Sequence, residues 1–83
     1  MAHMWFALAH ERGSNFATVL VKDSAVLSEP TRSQLIEYFE YHFGLPVVLC
    51  GERNKRLFGR DDIVRYLSKI NLKRLPWRKG EFH

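Results

Sequence analysis

Apolar residues fall in short blocks along this chain, and the spacing within each block predicts an element. Trp5 to His10, WFALAH, is apolar and aromatic, as strands are. Residues 11–15 form a turn cluster, with Gly13 and Asn15 able to take positive φ. Phe16 to Lys22, FATVLVK, is rich in β-branched residues and partly alternating. Together these predict an antiparallel hairpin. Residues 23–30 read as a loop with a short extended piece at Ala25–Leu27. Thr31 and Gln34 then have the spacing of a capping box, and a helix is expected from Arg32 to Phe43. Leu35, Ile36, Phe39, His42 and Phe43 recur on one face of it, and Gly44 is placed to end it.

The second half repeats the alternation of strands and helix. Pro46 to Cys50, PVVLC, is a short apolar run that suits a buried strand. Residues 52–55 are a polar turn, and residues 56–58 a short second strand. Gly59 closes that hairpin. Asp61 and Asp62 stand where a helix N-terminus favours negative charge. Ile63, Tyr66, Leu67 and Ile70 make the helix's buried stripe. In the tail, Leu72, Leu75 and Trp77 are candidate anchors. The predicted fold is α+β: a two-layer ββαββα domain over residues 1–83. Its four-stranded, mostly antiparallel or mixed sheet carries two helices on one face. If the tail adds a strand, residues 16–78 read β-α-β-β-α-β, the ferredoxin-like order. Residues 1–4 are expected to be a disordered start or vector scar, and residues 80–83 a frayed tail.

Composition narrows the class. A chain of 83 residues with 46% hydrophobic content is a small globular domain, too apolar for disorder. One cysteine, Cys50, excludes an internal disulfide and a CxxC motif, and fits a reducing compartment; a cytoplasmic location is expected. No apolar run approaches the ~20 residues of a membrane span, so no membrane association is expected.

The net charge of +4 is unevenly spread. Residues 1–50 hold three Lys or Arg against five Asp or Glu, a balance of −2. Residues 51–83 hold ten against four, a balance of +6. Such asymmetry bears on partners and association.

From about residue 31 to residue 70 the order of elements resembles the second half of glutaredoxins and of the N-terminal domain of glutathione transferases. Pro46 sits where those families have a cis-proline opening a strand. Gly59 followed by Asp61, Asp62 and Ile63 resembles their glycine and acidic helix start. The resemblance implies a truncated thioredoxin-like fold as a further alternative. It also implies a glutathione-type ligand at Val47, Asp61 and Asp62. No catalytic cysteine precedes the first helix, where residues 23–31 read DSAVLSEPT. Redox activity therefore does not carry over.

Candidate chemistry is sparse. No phosphate-binding glycine loop, nucleophile elbow or HExxH motif is present, and the chain is expected to be non-enzymatic and to use no cofactor. Cys50, with His42 as a base, is weighed against an inert buried thiol, and the inert reading is preferred. His10, Glu11 and His42 lack ligand spacing, so no metal is expected. Asp61 and Asp62 read as helix-start charges.

Two binding readings remain. A protein partner or self-association is expected at exposed aromatics, Trp5, Phe6, Tyr38 and Tyr41, with Trp5–His10 as an edge strand. The alternative is nucleic acid or another polyanion on the basic half: Arg53, Lys55, Arg56, Arg65, Lys69, Lys73, Arg74 and Arg78, interleaved with Trp77. The bland reading of those charges is a solvated face.

Overall fold

The N-terminal hairpin forms the middle of the sheet. A computed structural model describes residues 2–11 and 13–82. Met1, within the proposed non-native start, Arg12 of the predicted turn, and His83 at the end of the proposed frayed tail lie outside the described residues. β1 (Ala2–Glu11) and β2 (Ser14–Val21) pair antiparallel from Phe6↔Val19 to Glu11↔Ser14. The turn is thus shorter than the five residues expected, because pairing runs on to Ser14. β3 (Val47–Gly51) lies parallel to β2, and β4 (Leu57–Phe58) returns antiparallel to β3. β5 (Trp77–Phe82) pairs antiparallel with β1 from Ala7↔Trp77 to Ala2↔Phe82. The order across the sheet is β4-β3-β2-β1-β5.

Two expectations are corrected here. The tail adds a fifth strand, so the sheet has five strands, with Ala2–Met4 in register with Gly80–Phe82. And β1 is an interior strand, not an edge, because β5 covers its outer side.

Parallel neighbours need a crossover, and residues 23–43 supply it. The expected loop after β2 contains a helix, α1 (Asp23–Leu27), with Val26 buried. α2 (Glu29–Phe43) follows after Ser28. It begins three residues before the predicted start, and the Thr31–Gln34 capping box does not form. Pro30 is the reason. Its fixed φ suits the first turn of a helix, so the helix begins around it. Gly44 ends α2 at φ 68°, the left-handed region, with its N–H on the Glu40 carbonyl at 2.8 Å. α3 (Asp61–Ser68) forms where the acidic start predicted it, and a 3₁₀ turn (Leu72–Arg74) leads into β5.

The helices lie on both faces of the sheet, not on one. Side chains alternate along a strand. Val47 and Leu49 pack with Ala17, Val19, Val26 and Phe39 under α1 and α2. Val48 packs with Phe16, Ile63 and Leu67 under α3. The reason is visible in the run of β3: every residue from Val47 to Gly51 is buried, as in a strand covered on both sides. The chain is therefore a small mixed α/β domain with three layers. Fully burying side chains such as Phe39 or Leu67 contributes about 1.5–3 kcal/mol each.

Polar links hold the layers in register. The Asp23 carboxylate accepts the N–H groups of Arg53 and Asn54 at 3.0 and 3.3 Å, joining α1 to the β3–β4 turn. The Arg32 guanidinium donates to the Val26 carbonyl at 2.7 Å and lies 4.3 Å from the centre of the Phe58 ring. Gly59 passes so close to β3 that a Cβ there would meet the Val47 carbonyl oxygen at 2.9 Å.

Candidate functional site

The face that carries α3 is only partly covered. Its side chains form rows across the strands. One row runs Trp77, Ala7, Thr18, Val48. Two residues further along each strand, the next row runs Lys79, Trp5, Leu20, Cys50, Leu57. α3 packs through Ile63 and Leu67 onto Phe16 and Val48, at the other end of the face. Ile70 and the 3₁₀ turn's Leu72 extend that cover towards Trp77. Within the Lys79–Leu57 row Cys50 is fully buried and Leu57 packs against the α3-side core, so the accessible strip consists of Lys79 and Trp5 with half-buried Leu20 beside them.

This strip is aromatic and basic. Trp5 is 47% exposed. Trp77 is half-buried, and its Nε1–H donates to the Leu72 carbonyl at 2.8 Å, which fixes the indole against the 3₁₀ turn. The two indoles are diagonal neighbours across β1 and β5, within reach of one another as aromatic side chains at such positions are. Beside Trp77 lies a cavity of about 340 Å³, floored by Leu20 and Cys50 and flanked by Lys55, Asn71 and Lys73. Asn71 accepts the Lys73 N–H at 3.0 Å through its side-chain oxygen, which sets the start of the 3₁₀ turn. Lys55 holds a left-handed backbone at φ 58°, and its ammonium donates to the Glu52 carbonyl at 2.7 Å.

Cys50 is inert in this setting. Its thiol is buried, and burial pushes its pKa above the ordinary 9.0, with nearby Lys55 opposing and Asp23 reinforcing the rise. His42, the imagined base, is on α2 across the sheet, stacked on Tyr38 with ring centres 6.3 Å apart. The two residues are not brought together.

The predicted basic residues divide. Lys55 and Lys73 share the cavity with Trp77. Lys69 and Arg74 meet beside Tyr66, His10 and Glu11, on the other flank of α3. Arg65 and Lys69 border a hollow that also holds Glu11 and Asp62. Arg53 sits with Lys22, Asp23 and Glu52 at the ends of β2 and β3, and exposed Arg56 is in the turn next to it. Arg78 is paired with Phe6 and so belongs to the opposite face. Lys79 lies in the strip.

The aromatic set divides as well. Phe6 packs into the α2-side core, 5.1 Å from the Phe43 ring centre. Tyr38 and Tyr41 are on α2, Tyr41 at 92% exposure. Only Trp5 is on the α3 face, so these four make no single patch. Asp61 and Asp62 begin α3, where Asp62 pairs with Arg60 at 3.0 Å. The Val47 N–H donates to the Glu40 carboxylate at 3.2 Å, and the Pro46 peptide is trans. Among the described residues no cluster of three His, Cys, Asp or Glu side chains could hold a metal, and no helix is long and apolar enough to cross a membrane.

The sequence reading missed Leu20 as a floor residue. The signal for Leu20 was the alternation Phe16, Thr18, Leu20 along β2. No protein-family model, curated protein or solved structure matches the chain.

Proposed function

We propose that this chain is a non-enzymatic binding module that takes single-stranded nucleic acid across Lys79 and Trp5 and the adjoining cavity beside Trp77. The observation that carries the reading is that Trp5, Trp77 and Lys79 share the α3 face of the sheet, with Lys55 and Lys73 from neighbouring turns lining the cavity beside Trp77. Bases of a single strand are free to stack on such rings, at about 1–3 kcal/mol per base, and every base has a face to offer. Lys55 and Lys73 flank the cavity beside Trp77 and are placed for the phosphates on either side of a stacked base. The net charge of +4 favours encounter with a polyanion. Leu20 supplies an apolar floor that a sugar or base edge can cover.

The test is a fluorescence titration with a short single-stranded oligonucleotide, followed by tryptophan emission. Quenching with a dissociation constant that weakens as salt rises is expected. Two phosphate contacts alone give a log–log slope of about −1.4, and Lys79 steepens it. Trp5→Ala, at an exposed position, weakens binding about 5- to 150-fold, the equivalent of one stacked base. Absence of quenching at low salt, or binding insensitive to both salt and Trp5, overturns the reading.

A further inference from the structure

The two edges of the sheet are unequal. β4 is only two residues long. β5 is six residues long, contains no proline, and pairs on one side only. A strand edge of that length is a template for another strand unless something discourages it. Here the sequence discourages most pairings and favours one.

We infer that β5 pairs antiparallel with β5 of a second copy of this chain, on a two-fold axis through Gly80. Three conditions select that register. A two-fold axis between antiparallel edge strands is perpendicular to the sheet, so directly opposed residues come from the same face of each copy. Only registers centred on a residue satisfy this. Centring on Lys79 opposes two like charges, and centring on Glu81 does the same. Centring on Gly80 puts Lys79 of each copy at the register position opposite Glu81 of the other, twice per dimer. Glycine then occupies the axis itself, where two backbones meet with no side chain between them. The triplet Lys79-Gly80-Glu81 is self-complementary only in this pairing. Arg78 falls opposite Phe82.

The result is a continuous ten-stranded sheet, isologous as two-fold interfaces are. Both α3 helices lie on the same side of it. Lys79 of one copy is level with Glu81 of the other, so the two strips lie on the same side of the joined sheet, offset from one another by two residues. The inference stands on the edge and its charge pattern, independently of the nucleic-acid reading.

Sedimentation equilibrium without any nucleic acid tests it. The wild-type chain is expected to approach twice the monomer mass at high micromolar concentration. Lys79→Glu and Glu81→Lys each set like charges opposite one another at two positions, and each is expected to shift the protein to monomer. The double swap, Lys79→Glu with Glu81→Lys, restores opposite charges and should restore the dimer. Circular dichroism confirms that each variant is folded. A monomeric wild type, single variants that remain dimeric, or a folded double swap that remains monomeric overturns the inference. None of these outcomes depends on oligonucleotide binding, so the dimer and the nucleic-acid reading fail separately.

Discussion

Replacing Thr18 by valine should make this domain more stable. Thr18 is in the central strand β2, at 0% exposure, between Ala7 of β1 and Val48 of β3. Its hydroxyl oxygen is buried with no hydrogen-bond partner. An unpartnered hydroxyl taken from water costs about 1–3 kcal/mol. Valine keeps the branched shape and replaces the hydroxyl with a methyl group, which gains apolar burial in a pocket already filled. The expected change is about 1–2 kcal/mol of added stability. For a domain of this size that is a rise of about 4–8 °C in melting temperature per kcal/mol. Urea denaturation should show a higher midpoint at unchanged slope. Thr18→Ser is the counterpart: it keeps the polar atom, removes a buried methyl, and should cost about 0.8 kcal/mol or more. If Thr18→Val lowers the midpoint, the hydroxyl has a partner in the folded state and the reasoning is refuted.

Other expectations follow from burial and hydrogen bonding. Phe39→Ala, at the centre of the α2 contact, should cost about 3–5 kcal/mol in chemical denaturation, while Tyr41→Ala, two residues on, should change stability by less than about 0.5 kcal/mol. Asp23→Ala removes the acceptor of two backbone N–H groups and should cost about 1–3 kcal/mol, with faster amide exchange at Arg53 and Asn54 than elsewhere in the sheet. The Cys50 thiol holds its proton more tightly folded than unfolded, chiefly because it is buried. Its stabilising contribution is therefore complete below about pH 9.0, the unfolded value, and is lost as pH rises through the folded value. Urea midpoints at pH 7 and pH 10 should differ more for the wild type than for Cys50→Ala.

Much of the fold was legible in local pattern. β2 was readable from its run of apolar and β-branched residues, α3 because its buried stripe is periodic, and Gly44 because a helix end needs a left-handed residue. β5 was not readable. Its sequence, WRKGEF, mixes charges and glycine, and only pairing with β1 makes it a strand. The two-sided cover of the sheet was present in the unbroken run Val47–Gly51, but a short apolar run also fits a one-sided layer. The strip failed to appear for a related reason. Grouping residues by halves of the chain put Trp5 with the acidic aromatics and Trp77 with the basic tail. Their pairing across β1 and β5 is a long-range contact that no local signal announces. Conversely, Arg78 and Lys79 looked alike in sequence, and strand alternation sends them to opposite faces.

The most direct test of the binding strip is an amide chemical-shift map of the labelled chain, titrated with a short single-stranded oligonucleotide at low salt. The expected shifts fall on Trp5, Leu20, Cys50, Lys55, Lys73, Trp77 and Lys79, with Tyr38 and Tyr41 on the far face unmoved. Shifts centred on α2, or none at all, would contradict it.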